Sequence, residues 1–429
     1  MHKKTERAIA ISILSEVLES GAYANIALRK ALAKESDSLP RARAFITELV
    51  NETLRNLLLI DHVINAFSKT PLDRMKPFIR NLLRVSVCQL RHMEKIPDRA
   101  AVNEAVVLAK AFGFTNLSGF VNGVLRNISR QPENPALPPP DSIKGLALRY
   151  SYPEWIISEL TNSLGEEQAG AFCQNSHLPP PITIHVNTYK TSVENLVQSL
   201  NSEGVEARCI EHPFLALTHT GDISKLASFQ EGLFFVMDPG AIAAVNELAP
   251  KPGQKIMDMC AAPGGKSFAM ACIMGNVGKI IAYDIHPHRV ELVNQTRRRL
   301  GLSIIEAGVG DGLIFDPALE SSADSVLLDV PCSGLGTLRK HPEIKYTREH
   351  SDIRELAEKQ QQMLANAAKY IKPGGTLVYC TCTVCKEENS DNIGRFLAEN
   401  TNFTLENSRQ LLPNTNNDGF FVAKLARTV

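Results

Sequence analysis

Several things are missing from this sequence, and each absence removes a class of explanation. Although 44% of its 429 residues are apolar, no stretch approaches the roughly 18 consecutive apolar residues of a membrane span. The charged start, Met1 to Arg7, leads into an apolar run (Ala8 to Leu14) broken by Ser12 and closed by Ser15 and Glu16. That pattern belongs to an amphipathic helix and not to a secretory signal. The glycine-rich stretch at 258–266 is spelled neither G-x-G-x-x-G nor G-x-x-x-x-G-K-[ST], so dinucleotide and P-loop readings fail on residues. Nine cysteines, an odd number without a secretory signal, imply a reducing compartment, free thiols and a cytoplasmic protein. Cys382-x-x-Cys385 lacks a second pair, which leaves a four-ligand zinc site incomplete, and no metal is expected. Net charge is also lacking, with 46 Lys and Arg against 46 Asp and Glu.

The zero is a sum of unequal parts. Residues 1–140 carry 20 Lys/Arg against 13 Asp/Glu, a balance of +7, and the remainder carries 26 against 33, or −7. A basic front end on an acidic back end suits a polyanion-binding module joined to something else. The front end reads as helices. Ala10, Leu14, Val17 and Leu18 form one apolar stripe, Val50, Leu54, Leu57, Leu58 and Val63 a second, and Phe78, Leu82, Val85 and Leu90 a third. With breakers at Gly21, Ser36–Pro40, Pro71, Pro97 and Gly113, five to seven helices in an all-α bundle are expected. Arg80, Arg84 and Arg91 fall near one helical face, where they are either a solvated face or a nucleic-acid face.

Five prolines between Gln131 and Pro140 read as a stiff linker and a domain boundary. A helix from Trp155 to about Cys173 is expected next. It is followed by a strand at 182–187, a helix at 193–203, and strands near 207–210, 215–218 and 232–238, a small α/β subdomain. The lone His185 within it reads as structural. From Gly253 strands and helices alternate, which argues a mostly parallel sheet covered on both faces.

The first strand of that part runs into Asp258-Met259-Cys260-Ala261-Ala262-Pro263-Gly264-Gly265-Lys266 and a helix. Strand, small-residue loop and helix form a cofactor-binding plan, with backbone N–H groups free at the helix start. The second strand ends in Asp284, 19 residues after Gly265, where a carboxylate can accept from both hydroxyls of a ribose. The third ends near Asp311, where an acceptor can meet an exocyclic amine such as that of adenine. The fourth runs into Asp329-Val330-Pro331-Cys332 and the fifth into Cys380-Thr381-Cys382. Three strand-end acids in register after a glycine loop point to an adenosine cofactor without a pyrophosphate clamp, and S-adenosylmethionine fits. Two cysteines beside such a site have a chemical use. Carbon 5 of a pyrimidine becomes nucleophilic once a thiolate adds at carbon 6, and a thiolate both attacks and departs readily.

Two resemblances sharpen this. Ile96-Pro97, Ala101–Lys110 and Gly119–Asn127 resemble the NusB-like RNA-binding domain. The motifs at 258–266, 328–336, 339–345 and 379–383, with Glu387-Glu388-Asn389 after them, resemble the RNA 5-methylcytosine methyltransferases of the Sun (Fmu) group. With the NusB-like front, the whole chain resembles bacterial 16S rRNA cytosine methyltransferases. The resemblance implies Cys382 as the nucleophile, Cys332 as the group assisting proton removal or enzyme release, and Asp329 against the base or cofactor. Cys260, Ala261, Ala262, Pro263, Gly264, Gly265, Lys266, Asp284, Asp311 and Asp329 would form the S-adenosylmethionine site. DNA cytosine methyltransferases use the Pro-Cys cysteine as nucleophile, so spacing alone leaves the two roles open. The chain departs from the pattern in Cys380, where a small residue is usual, in His185 for a usual Arg, and in Val236–Gly240 for a more polar run. Cys380, two residues from Cys382, is expected to share its face and to be prone to oxidation.

The expected organisation is a NusB-like all-α RNA-binding domain at 1–130, a linker at 131–144, a small α/β RNA-binding subdomain at 145–240 and a Rossmann-like methyltransferase domain at 241–429. The expected activity is methylation of carbon 5 of a cytosine in 16S rRNA by a monomer. The same chemistry on tRNA or another rRNA site is the runner-up, and a non-catalytic RNA-binding assembly or antitermination factor is the rival from another class.

Overall fold

The computed structural model describes residues 5–34, 40–133, 135–218 and 221–428. Most of the Ser36–Pro40 breaker and Asn134 of the linker lie outside them. The packing divides into two compact units, residues 1–177 with 338–348, and residues 178–337 with 349–429. Among the described residues no helix is long and apolar enough to cross a membrane.

Among the described residues of the first unit, seven α-helices precede the linker: Glu6–Ser20, Ala24–Lys34, Pro40–Arg55, Leu57–Phe67, Pro77–His92, Asp98–Ala111 and Ser118–Arg130. The Thr5 side chain accepts from the Ala8 N–H at the start of the first helix, and Gly21 at φ 69° ends it, supplying the left-handed residue that closes a helix. The expected stripes meet in one core, with Leu14, Val17, Val50, Leu54, Leu82 and Val85 all buried. The three arginines are not a free nucleic-acid face. Arg80 pairs with Glu19, Arg84 forms a two-pronged pair with Asp61 at 2.8 and 2.6 Å, and Arg91 donates to the carbonyls of Ile128 and Gln131. Helical spacing put them on one side, but acids and carbonyls on neighbouring elements occupy them.

The helices Ile143–Tyr150, Glu154–Leu164 and Glu166–His177 belong to this unit too. Packing thus groups the residues up to His177 with the bundle, and residues 145–240 are shared between the units. The helices up to His177 are tied to the bundle by bonds such as Leu59 N–H to Ser151 Oγ at 3.1 Å. The single helix expected to Cys173 is two, interrupted at Gly165 with φ 83°. Residues 338–348 return to the unit carrying buried charge. Lys345 Nζ donates to the carbonyls of Arg55 at 3.0 Å and Tyr150 at 3.3 Å, and burial drives its pKa well below the ordinary lysine value.

The second unit contains two sheets. The smaller is antiparallel, β1 (Ile182–Val186), β2 (Glu206–Glu211), β3 (Phe214–Thr218) and β4 (Phe234–Val236), in the order β2-β3-β1-β4. Helix Val193–Ser202 covers one face through Leu196 and Leu200. His185 lies on the other face, stacked on Phe235 at 4.7 Å with Nδ1 2.7 Å from the Val186 carbonyl. Burial lowers its pKa to about 4, so it is a neutral core residue. Phe235 in turn meets Phe268 edge-on at 5.5 Å, joining the small sheet to the larger one.

The larger sheet comprises β5 (Lys255–Asp258), β6 (Lys279–Asp284), β7 (Ile305–Val309), β8 (Ala323–Asp329), β9 (Ile371–Thr381), β10 (Phe403–Leu411) and β11 (Phe420–Arg427). Its order is β10-β11-β9-β8-β5-β6-β7. The pairs from β9 to β7 are parallel, and β10 and β11 add an antiparallel edge. Near-continuous burial of Val326, Leu327 and Leu328 is what a strand covered on both faces requires. Connections leave β5 toward β6 on one side while β8 pairs on the other. The topological switch point, where open α/β sheets bind ligands, therefore falls at the carboxyl end of β5.

Candidate active site

A cleft of about 420 Å³ opens at that switch point. Cys260, Ala262, Lys266, Asp284, Asp311, Asp329, Cys332 and Cys382 all line it. Five strand ends, far apart in sequence, deliver them to one place because parallel strands end on the same edge. Ala261, Pro263, Gly264 and Gly265 do not face the cleft; they shape its floor. Gly264 sits at φ +109°, and a Cβ there would lie 2.3 Å from the Phe268 ring, so only glycine lets this loop close over the start of helix Gly265–Ile273.

The acids are held in different ways. Asp284 accepts from the His286 N–H at 3.0 Å and lies 3.5 Å from Arg289. Arg289 also donates to the Ala262 carbonyl at 2.9 Å, bracing the glycine loop against the end of β6. Asp311 accepts from the Leu313 N–H at 2.9 Å. Asp329 pairs with Lys266 at 2.6 Å and receives the Cys380 thiol at 3.5 Å. Burial opposes the Lys266 charge most strongly, but Asp329, Cys380 and Asp258 together outweigh it and hold the ammonium above its ordinary pKa. Asp258, below the loop, accepts from Ser267 at 2.6 Å while its Oδ1 is buried with no hydrogen-bond partner.

The two cysteines meet. Cys332 Sγ and Cys382 Sγ are 2.8 Å apart, and the Cys382 N–H donates to Cys332 Sγ at 3.3 Å. The hydrogen bond to Cys382 comes first among the causes that raise the Cys332 thiol well above its ordinary pKa; burial, Glu388 and Asp329 add to it. Cys380 packs in the same cluster as Cys382, as expected from their spacing. It is fully buried and burial pushes its thiol far up, the opposite of an oxidation-prone thiolate.

Sequence reading passed over Arg289, the Phe420 ring that Lys266 approaches at 5.1 Å, and Lys359 and Met363 of helix His350–Tyr370 in the cleft wall. Arg289 lies in the first turn of the helix after Asp284, a position that could have flagged it. Phe420 carries no such signal, since it arrives from the antiparallel edge. The cleft suits S-adenosylmethionine: two strand-end acids for a nucleoside, a helix start for a carboxylate, and an unpartnered buried acid oxygen beneath the loop.

Comparison with known proteins agrees. Residues 245–426 match the family model for 16S rRNA methyltransferase RsmB/F, residues 4–130 that of the NusB family, and residues 152–220 the ferredoxin-like domain of RsmF/B-like methyltransferases. The probable ribosomal RNA small subunit methyltransferase B of Bacillus subtilis is 37% identical over 94% of this chain and 90% of its own. The ribosomal RNA small subunit methyltransferase B of Shewanella oneidensis is 34% identical over 98% of this chain and 99% of its own. Among solved structures, the crystal structure of PH0851 matches with a TM-score of 0.82 at 28% identity, covering 98% of each chain. With cleft, thiol pair and full-length relatives in agreement, the chain belongs to the RsmB/F family of S-adenosylmethionine-dependent 16S rRNA methyltransferases.

Proposed function

We propose that the protein methylates carbon 5 of one cytosine in small-subunit rRNA through a covalent bond to Cys382. The observation that carries this is the pair of thiols, 2.8 Å apart, in the wall of the cleft that holds the three strand-end acids. In this reading the Cys382 sulfur adds to carbon 6 of the cytosine, which makes carbon 5 nucleophilic. S-adenosylmethionine, when bound, supplies the methyl group. Loss of the carbon 5 proton then restores the ring double bond as the bond from carbon 6 to Cys382 breaks. Cys332, kept a thiol by its raised pKa and with its sulfur against Cys382, donates to the departing Cys382 sulfur and so assists release of the enzyme, while the carbon 5 proton passes to water. Asp329, held by Lys266 and Cys380, stands against the base or the cofactor.

The target base must leave its stack to reach a thiol in a cleft, so a loop or helix end of the RNA is the expected substrate. The first unit supports an RNA role. Asn103, Lys110, Asn122 and Arg126, all within the NusB-like motifs, line an open groove of about 570 Å³. Labelled S-adenosylmethionine with rRNA, resolved on denaturing gels, tests the reading. Cys382→Ala should lose methyl transfer, and Cys332→Ala should accumulate a protein–RNA adduct. An adduct trapped by Cys382→Ala instead would exchange the two roles. No transfer by the unaltered protein to rRNA, tRNA or ribosomal particles would leave a scaffold.

A further inference from the structure

Both reactive sulfurs sit in loops, and loops alone do not hold two atoms in a fixed relation. Cys332 follows β8 and Cys382 follows β9, and among the described residues neither side chain bonds to a helix. The residues beside them do. The Ser333 N–H donates to Glu388 Oε1 at 2.9 Å and the Ser333 hydroxyl to Oε2 at 2.5 Å. On the other side of the pair, the Thr383 hydroxyl lies 2.8 Å from Ser333 Oγ and also bonds the Glu388 carboxylate. Gln360, on helix His350–Tyr370, donates to Glu388 Oε1 at 2.9 Å and to the Pro331 carbonyl at 3.0 Å. Tyr379 closes the arrangement by donating to the Glu388 carbonyl at 2.6 Å. Glu388 is fully buried and lies outside the cleft wall, so it has no route to substrate.

We infer that Glu388 is a positioning residue, its carboxylate joining the Ser333 and Thr383 loops so that Cys332 and Cys382 face each other. The inference rests on the thiol roles proposed above. The alternative for a buried carboxylate is a purely structural brace. The two differ in what the charge does, because a nearby anion disfavours a second one. The groups facing Cys332 are Cys382, Glu388 and Asp329, all of which raise its pKa. Those facing Glu388 are Ser333, Gln360 and Thr383 as donors, which lower its pKa against the larger effect of burial. A glutamine at 388 keeps the shape, removes the charge, and turns one acceptor into a donor aimed at donors.

Alkylation by iodoacetamide across pH, read peptide by peptide in a mass spectrometer, reports the Cys332 thiol without any RNA. In Glu388→Gln the Cys332 profile should move to lower pH, and methyl transfer should fall at least tenfold with S-adenosylmethionine affinity within twofold of the starting value. Ser333→Ala, which removes one hydroxyl and should fold normally, should lower transfer in the same direction by a smaller factor. The double variant should be no worse than Glu388→Gln alone, because both changes break the same bond. Cys332 profiles that superimpose on the starting protein in both variants, with transfer within twofold, would overturn the inference. Absence of transfer by the starting protein would count against the proposed function, and the alkylation profiles would still decide the role of Glu388.

Discussion

Gly336 offers the sharpest mechanical test of the cleft. Its N–H donates to the Cys382 carbonyl at 2.9 Å, and its own carbonyl accepts from the Gly419 N–H at 2.9 Å. It therefore ties the Cys382 loop to the segment that brings Phe420 into the cleft. A Cβ at this position would lie 2.2 Å from the Gly419 oxygen and 2.7 Å from the Cys382 oxygen, where real Cβ atoms keep at least 3.0 Å. Both neighbours are backbone, so Gly336→Ala must separate the loops by at least 0.8 Å, the difference between 3.0 and 2.2 Å. Overpacking of this kind costs about 2 kcal/mol, which lowers Tm by about 4–8 °C for a unit of this size. A displacement near 1 Å at a reacting group slows chemistry by on the order of 10²-fold. Single-turnover methyl transfer at saturating S-adenosylmethionine, beside a thermal melt, reads both quantities. Gly336→Ala working within threefold of the original rate would refute the claim that these contacts set the position of Cys382.

Four further outcomes follow from the same geometry. Lys266→Met leaves Asp329 without its counter-ion; with these side chains 13% and 28% exposed, the loss should lie near the low end of the range for broken buried pairs, about 3 kcal/mol. Urea unfolding that differs from the original by less than 1 kcal/mol would contradict the pairing. Cys380→Ser keeps a donor for Asp329 and should bind S-adenosylmethionine normally, whereas Cys380→Ala should lose about 1 kcal/mol of binding. In the native protein Cys380 should resist iodoacetamide while exposed Cys209 reacts, and rapid labelling of Cys380 would show the burial to be wrong. Burial pushes the Asp258 carboxyl from 3.8 up to about 7, with Ser267 opposing and Asp329 adding to the shift. Between those values the folded state keeps a proton that the unfolded state has released, so this group weakens the fold as pH rises through that window. Asp258→Asn should flatten the fall in unfolding free energy between pH 4 and 7, and an unchanged slope would exclude the raised pKa.

Much of the site was legible because its parts are local. A strand ending in Asp284, a loop of small residues at 260–265 and a thiol after each of two strands are properties of short windows, and parallel strands carry their ends to a common edge. The helical stripes of the first unit were readable for the same reason, since a 3.6-residue period needs no knowledge of the partner. The arginines were not. Arg80, Arg84 and Arg91 share a face by spacing, but only tertiary packing supplied Glu19, Asp61 and the carbonyls that occupy them. The proline-rich stretch reads as a boundary because proline stiffens a chain, and packing adds that the helices up to His177 group with the bundle before it.

The chemistry available to this protein is set by residue type and is written in short windows of the chain. Two thiols, three strand-end acids and a glycine loop suit an adenosine cofactor and thiol chemistry beside it, and these are choices of residue type. Tertiary structure decided which groups bear on that chemistry. The 2.8 Å between Cys332 and Cys382 spans 50 residues of chain; Gly336 and Glu388 adjoin it from the loops that carry the two thiols, and Gln360 from the separate helix His350–Tyr370. Arg289 and Phe420 reach the cleft only because a helix and an antiparallel edge pack beside it. Their effect is set by distances that arise from long-range packing, and no local pattern encodes those distances.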